Sequence, residues 1–120
     1  MIKRKSEIQG EVLSNFKGGN GCVTAYPFLT EQEAGGTGRL FVKSVIEPGD
    51  SIGAHKHEND METYYILQGK ALVSDNGADV ILEAGDCHIC PDGQTHSIEN
   101  VGETTLEYIA IILYTPHKHV

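Results

Sequence analysis

Two histidines placed two positions apart are the feature that most limits what this chain can fold into. His55 and His57 are followed, five residues after the second histidine, by the carboxylate of Glu62. Side chains at positions i and i+2 of a β-strand point to the same face, so a strand here would aim both imidazoles at one point. The polar segment 58–60 is typical of a turn and would return Glu62 on a neighbouring strand opposite the histidines. Two imidazoles and a carboxylate that converge in this way suit a first-row divalent metal.

The same three residues also have a plainer interpretation. A His-x-His pair on a strand is often exposed to solvent. A carboxylate nearby is expected in a chain that has 17 acidic residues against 9 basic ones. The stretch by itself therefore leaves a metal site and a solvated pair of histidines equally open.

The acidic balance of the chain excludes some partners. The formal net charge is −8 at pH 7 and the isoelectric point is about 5.1, so we expect neither nucleic acid nor an anionic membrane surface as a partner. No apolar run approaches the ~18 residues of a membrane span, and no apolar stretch follows the basic residues 1–5, so we expect no signal peptide. Three cysteines without an export signal indicate the reduced cytoplasm.

Short apolar runs separated by frequent turn signals predict an all-β fold, a β-sandwich or a small barrel built from two similar halves. The segment 30–34 is long enough for only a brief helix. The last strand is almost wholly apolar, which favours burial on both of its faces. We predict strands over residues 22–28, 39–46, 51–57, 62–67, 70–74, 79–82, 87–90, 96–100 and 105–115.

Residues 1–19 are interpreted as an N-terminal arm of a single domain that spans residues 1–120. The apolar positions of the arm have no evident place inside a barrel this small, and such a barrel leaves sheet edges exposed. Adding the arm to the sheet of a neighbour would cover both, so the sequence predicts a homodimer. The apolar arm positions are Ile8, Val12, Leu13 and Phe16.

The spacing of glycines, histidines and carboxylate resembles a known family. The first motif reads Gly49, five residues, His55-x-His57, four residues, Glu62, six residues, Gly69. Fifteen residues later the second motif reads Gly85, five residues, Pro91-x-Gly93, two residues, His96, three residues, Asn100. Both are similar to the two signature motifs of the cupin superfamily, over about residues 39–115. The turn glycines of these motifs are expected to need positive φ.

The resemblance implies a double-stranded β-helix, the jelly-roll barrel of cupins. It also implies that four residues bind one divalent transition metal inside the barrel, namely His55, His57, Glu62 and His96. Manganese or iron is favoured by analogy with similar cupins, whereas nickel or zinc also suits mixed imidazole and carboxylate ligation. Four protein ligands leave one or two coordination positions open, which a catalytic metal requires.

Tyr64 is the candidate catalytic residue beyond the ligands. It shares the parity of Glu62 on its predicted strand, so we expect its side chain to line the cavity. There it could make a polar contact with a small-molecule substrate, or it could be a packing aromatic. On the predicted strand 39–46, Arg39 and Lys43 share one face, and we expect both side chains at solvent.

Two further patterns carry cysteine or histidine. Cys87 and Cys90 form a CxxC, but residues three apart on a strand face opposite sides, so we expect buried structural thiols and no metal or redox pair. The face taken by His88 stays open. A second His-x-His, His117 and His119, is expected to be solvated at the tail.

Three functions are compatible with these features. The first is a metal-dependent enzyme acting on a small oxygenated molecule, as an oxidase, dioxygenase, decarboxylase or sugar isomerase. The others are a non-catalytic binding or sensor module and a structural or storage role. Oxalate-processing cupins carry an arginine three residues before the first metal-binding histidine, and this position is Ile52 here. An apolar side chain cannot replace a bidentate guanidinium, so the sequence argues against oxalate chemistry.

Overall fold

The structure of the protein is a computed structural model that describes residues 1–116. Ten strands dominate it, joined by one short helix, α1 (Glu31–Ala34), and two 3₁₀ turns, Lys5–Glu7 and Phe16–Gly18. The strands are β1 (Glu11–Ser14), β2 (Cys22–Pro27), β3 (Gly38–Ile46), β4 (Ser51–Lys56), β5 (Asp60–Gln68), β6 (Lys70–Asp75), β7 (Ala78–Glu83), β8 (Cys87–Cys90), β9 (Thr95–Asn100) and β10 (Leu106–Tyr114).

The strands form two antiparallel sheets. The larger sheet has the order β1-β2-β3-β10-β5-β8 and the smaller one the order β4-β9-β6-β7. From β3 to β6 the chain alternates between the sheets, and from β7 to β10 it alternates again. Each strand of the first half pairs with one of the second half in reverse order: β3 with β10, β4 with β9, β5 with β8 and β6 with β7. This arrangement is the predicted double-stranded β-helix of two similar halves, and the all-β prediction is confirmed.

The inward faces of the two sheets meet in one hydrophobic core. Alternate residues of β5, β9 and β10 are buried, as the period of two of a strand requires.

The turns between strands depend on glycine where the backbone takes a left-handed conformation. Gly49, Gly69, Gly85 and Gly93 have φ of 86°, 91°, 92° and 89°. The expectation of positive φ at these motif glycines is therefore confirmed.

The N-terminal arm has a place that the sequence did not reveal. Its strand β1 pairs with β2 of the same chain, with Leu13 opposite Val23. Leu13 and Phe16 pack against the core, whereas Val12 is 62% exposed. The expectation that the arm has no place on its own barrel was wrong, because β2 offers it an unpaired edge.

The last strand also differs from expectation. The inward residues of β10 are buried, but Ile109 and Ile111 on its outer face are only half-buried. The prediction that both faces of the last strand are buried was wrong, because the second sheet covers only the inner face.

The tail residues His117 and His119 lie outside the described residues, so their expected solvation is untested. Within residues 1–116, no helix has the length and apolar character needed to cross a membrane.

Candidate metal centre

Three imidazoles and one carboxylate meet between the two sheets. The Nε2 atom of His96 lies 3.0 Å from Nε2 of His55, 3.0 Å from Nε2 of His57 and 2.9 Å from Oε1 of Glu62. The same oxygen of Glu62 lies 3.1 Å from His57 Nε2 and 3.6 Å from His55 Nε2. The structure thus brings together the four residues that the resemblance implied as metal ligands.

Strand register explains how residues far apart in sequence reach this point. His55 on β4 stands directly opposite His96 on β9. His57 lies just after β4, held by its backbone amide on the carbonyl of Gln94 at 3.0 Å, while the amide of Gly93 donates to the carbonyl of His57 at 2.7 Å. The two sequence motifs are therefore tied together by main-chain hydrogen bonds.

Glu62 approaches from the opposite side. We expected it on a strand neighbouring the histidine strand, but β5 belongs to the larger sheet and β4 to the smaller one. The turn after His57 therefore carries the chain across the barrel instead of reversing it within one sheet. The carboxylate faces the histidines across the interior, as predicted, although its strand is not their neighbour.

The second ring nitrogen of each of the three clustered histidines has its own partner. Nδ1 of His55 donates to the carbonyl of Gly53 at 2.8 Å. Nδ1 of His57 lies 2.8 Å from Oδ1 of Asp60, and Nδ1 of His96 lies 3.0 Å from Nε2 of His88. A proton on Nδ1 leaves the lone pair of a neutral imidazole on Nε2, which is the atom that points to the shared site.

Arg39 extends this network to the surface. Its Nε donates to Oδ2 of Asp60 at 2.8 Å, and the other oxygen of Asp60 accepts from His57. Asp60 is itself buried, at 4% exposure. Arg39 is exposed, as expected, but its guanidinium also balances the buried carboxylate that orients His57.

The titration behaviour of the ligands reflects their contact. Burial opposes the charge of Glu62, but its polar contacts with His55, His57 and His96 outweigh burial and lower its pKa. Glu62 raises the pKa of His57 through the hydrogen bond between them. Burial lowers the pKa of His96, against the opposing effect of Glu62. The site therefore keeps a carboxylate ionised in a buried position, where charge is costly without a cation.

The spacing of the four donor atoms suits a metal ion. All of them lie within 4.8 Å of one another. Donors at right angles around an ion with bonds of about 2.1 Å would be about 3 Å apart, which matches the separations of the close pairs here. Three lone pairs and an anionic oxygen that point at one spot would repel each other without a proton or a cation between them. The residues therefore fit a divalent transition metal.

Tyr64 lies beside this cluster. It is 1% exposed, and its ring stacks on the ring of His96 with centroids 5.0 Å apart and planes at 13°. Its hydroxyl oxygen lies 3.5 Å from Nε2 of His96. Burial, followed by the charge of Glu62, raises the pKa of Tyr64 well above its usual value, so the phenol stays protonated. The position that was expected from the sequence is confirmed.

A cavity of about 140 Å³ opens beside the cluster. Its wall includes Tyr64, His55, His57 and Glu62 and is otherwise mostly apolar. Three exposed cations also line it, and Glu62 is its one acidic residue within the described chain. The cationic residues are Lys17, Arg39 and Lys56.

The CxxC segment divides between the two faces of β8. His88 and Cys90 are buried, while Cys87 is exposed. Burial raises the pKa of Cys90 to about 11, as for an inert structural thiol. The opposite facing of the two cysteines is as predicted, but the expectation that both are buried was wrong for Cys87. The role of His88, which could not be read from the sequence, is contact with His96.

Comparisons with known proteins agree with this geometry. Residues 42–112 match the model of the Cupin domain family. A protein from Thermotoga maritima named an oxalate-binding protein is 44% identical over 113 residues, which cover 94% of this chain and 93% of the relative.

Solved structures give the same assignment. A crystal structure from Thermotoga maritima, described as a predicted oxalate decarboxylase, superposes with a TM-score of 0.92 at 43% identity, over 96% of this chain and 100% of the other. A polyketide cyclase from Streptomyces resistomycificus has a TM-score of 0.74 at 15% identity, over 99% and 89% of the two chains, and shows the fold alone. The chain belongs to the cupin family.

Proposed function

We propose that the protein holds one divalent transition metal on His55, His57, Glu62 and His96 and uses it to act on a small oxygenated acid. The observation that carries this proposal is the convergence of three imidazole Nε2 atoms and one carboxylate at the wall of a cavity. Manganese or iron remains the first choice, with nickel and zinc as alternatives. The donor set suits all four, so the choice of metal rests on the analogy with similar cupins.

The charges around the cavity favour an anionic ligand. The chain has 17 acidic residues against 9 basic ones, yet the described cavity wall has three cations and a single carboxylate. Two of these cations, Arg39 and Lys56, also pair with Asp60 and Glu58, so Lys17 and the bound metal supply the charge that remains for an anion. A bound divalent metal would more than balance that carboxylate. A small acid with two oxygens placed for chelation fits these charges, and the name of the Thermotoga relative, an oxalate-binding protein, supports this class.

Ile52 separates this proposal from the oxalate chemistry that the sequence argued against. It is 8% exposed and lines the cavity, so no guanidinium can grip a carboxylate from that position. The absence of the arginine argues against catalysis that needs it. It does not argue against chelation of an acid by the metal.

In the enzymatic form of the proposal, the residues of the chain have distinct tasks. When bound, the metal supplies a Lewis acid that stabilises negative charge on an enolate or carboxylate. The Nδ1 partners keep the ligand imidazoles in the correct tautomer. The protonated hydroxyl of Tyr64 donates a hydrogen bond beside the ligand atoms, and the apolar wall limits water. An oxidase, dioxygenase, decarboxylase or isomerase could use this arrangement.

The alternative is a binding protein without turnover. One observation favours it: besides the metal ligands, the titratable groups on the described cavity wall are Lys17, Arg39, Lys56, Tyr64 and Tyr108. The two tyrosines have raised pKa values through burial, which makes both poor general bases near neutral pH. The cavity therefore holds an acid more readily than it moves protons.

One experiment tests the proposal and separates its two forms. The purified protein is analysed for bound metals, and oxalate, glycolate and pyruvate are then titrated into the metal-loaded protein by calorimetry. The same mixtures, with air present, are followed for product by mass spectrometry. Binding with product formation supports an enzyme, and binding without product supports the alternative. Full metal occupancy with no binding of these acids would contradict the proposed ligand class.

We also propose that the protein is a cytoplasmic homodimer without nucleic-acid or membrane partners. Because β1 of the arm pairs with β2 of the same chain, the arm gives no reason for a dimer. The outer face of the larger sheet supplies another, because Tyr65, Leu67 and Ile89 are 47%, 42% and 53% exposed there, next to the half-buried Ile109 and Ile111 on β10. We call these five residues the outer-face patch. Contiguous apolar surface of this kind is typical of protein interfaces.

A further inference from the structure

The cavity wall carries a buried hydroxyl that the metal centre does not use. Tyr108 on β10 is 0% exposed and lines the cavity. Within residues 1–116, its hydroxyl oxygen has no hydrogen-bond partner. A buried donor without a partner is unfavourable, and in native proteins such a group requires an explanation.

Ring contacts place Tyr108 close to the metal ligands. Its ring packs edge-on against Tyr64 with centroids 4.8 Å apart, and Tyr64 in turn stacks on His96. Burial raises the pKa of Tyr108, and the charge of Glu62 raises it further. The phenol therefore stays protonated, and its oxygen lies within electrostatic reach of the ligand carboxylate. The hydroxyl of Tyr108 can therefore donate a hydrogen bond to a ligand in the cavity.

A second hydroxyl stands beside it. Ser44 on β3 is directly opposite Tyr108 in the β3–β10 pair, is 4% exposed and also lines the cavity. Ser44 is close enough to lower the pKa of Tyr108 as a hydrogen-bond partner would, against the larger effect of burial, but no hydrogen bond of normal geometry reaches the phenol oxygen. The surrounding wall is apolar and includes Val42 and Ala110. The two hydroxyls form a polar spot on an apolar wall.

We infer that Tyr108, assisted by Ser44, donates a hydrogen bond to an oxygen of the bound acid that the metal does not hold. This inference rests on the proposed function and narrows its ligand class. The ligand needs a chelating pair of oxygens and a further oxygen acceptor on the side away from the metal.

The size of the cavity limits the ligand further. A volume of about 140 Å³ is close to the ~150 Å³ of a cavity that binds benzene, so about six non-hydrogen atoms fit. Dicarboxylates and α-keto acids of two or three carbons meet both conditions. Ile52 offers no donor, and the hydroxyl of Tyr64 lies beside the ligand atoms at 3.5 Å from His96. The buried donors on the wall that remain for the outer oxygen are the hydroxyls of Tyr108 and Ser44.

The test compares Tyr108→Phe, which removes only the hydroxyl, with wild type and with Tyr114→Phe. Tyr114 ends the same strand but is 45% exposed, so its variant is a matched control. Each metal-loaded protein is titrated with oxalate and with imidazole, which binds metals but carries no oxygen. Metal content and melting temperature of the ligand-free protein are measured alongside.

We expect Tyr108→Phe to weaken oxalate binding roughly 10- to 100-fold, as for a hydrogen bond to a charged acceptor. Metal content, imidazole affinity and melting temperature should stay at the wild-type level, and Tyr114→Phe should bind oxalate normally. Ser44→Ala should weaken oxalate binding in the same direction by roughly two- to tenfold.

Three results would overturn the inference. Unchanged oxalate affinity in Tyr108→Phe would remove its basis while leaving the proposed function intact. A lower melting temperature with equal losses of oxalate and imidazole would assign the hydroxyl a structural role instead. If metal-loaded wild type binds no small acid at all, the proposed function itself fails, and the inference fails with it.

Discussion

Nε2 of His88 lies 3.0 Å from Nδ1 of His96, although the two histidines belong to different sheets. His88 is buried, at 7% exposure, and burial lowers its pKa. It is therefore held as a neutral acceptor for the Nδ1 proton of His96. The contact orients the ring of His96, a proposed metal ligand, and leaves its Nε2 lone pair directed to the site.

The first prediction follows from this contact. His88→Ala should lower metal affinity about 10- to 100-fold, because His96 loses the partner that fixes its ring and tautomer. Competition with a fluorescent chelator measures the affinity. His88→Gln, which retains an acceptor oxygen, should recover part of the loss. Equal affinity in wild type and His88→Ala would show that the contact does not support the ligand.

The second prediction concerns the ligands themselves. His57→Ala should abolish stoichiometric metal, since it removes a donor and leaves Glu62 and Asp60 without the hydrogen bonds that they share with His57. Elemental analysis of the purified variant gives the occupancy. Glu58→Ala is the matched control, because its carboxylate is adjacent but 71% exposed. Full occupancy in His57→Ala would show that the site has been placed wrongly.

The spacing of motif residues explains how much of this centre the sequence revealed. The spacing of residues within each motif decides which side chains of a strand share a face. His55, His57, Glu62 and His96 could therefore be named from the resemblance. Asp60 could not be assigned, because it lies in a segment that looks like a turn. Its role depends on which way Nδ1 of His57 points, and spacing carries no such information.

The remaining gaps have similar physical causes. Strand parity placed His88 and Cys90 on one face, but parity alone does not say which face is inside. Tyr108 lies in an almost wholly apolar strand, where the sequence gives no sign that its hydroxyl lacks a partner. The pairing of Leu13 with Val23 depends on a free edge of β2, which appears only once the sheet is assembled. The assignment of residues 1–120 to a single domain stays a prediction.

The third prediction tests the outer-face patch. Ile89→Asp places a charge within the outer-face patch, on the edge strand β8, and should raise the dimer dissociation constant at least about tenfold, as for an interface anchor. Sedimentation velocity at micromolar concentration measures the mass. Val80→Asp is the control, because Val80 is 43% exposed but lies on β7 of the smaller sheet. A wild-type protein that sediments as a monomer would refute the dimer.

The last prediction concerns the dependence of metal affinity on pH. A histidine must be neutral to bind a metal, so every ligand that is protonated in the metal-free protein adds one proton to the competition. The pKa of His57 is raised, with the hydrogen bond to Glu62 as the main cause, so its proton competes at a higher pH than that of an ordinary histidine. The pKa of His96 is lowered below 6.5 by burial, so its proton competes only in more acidic solution.

As the pH falls, the logarithm of affinity should therefore decrease gradually at first, while His57 takes up its proton, and then more steeply towards pH 5, as further ligand histidines take up protons. Glu62, with its lowered pKa, stays ionised throughout this range and adds nothing to the slope. Titrations of metal into the apoprotein between pH 5 and 8 give the curve. Asp60→Asn should reduce the slope near neutral pH, because the Asp60 hydrogen bond and charge both raise the pKa of His57. A slope that stays at one down to pH 5 in wild type would mean that a single histidine, and not the cluster, holds the metal.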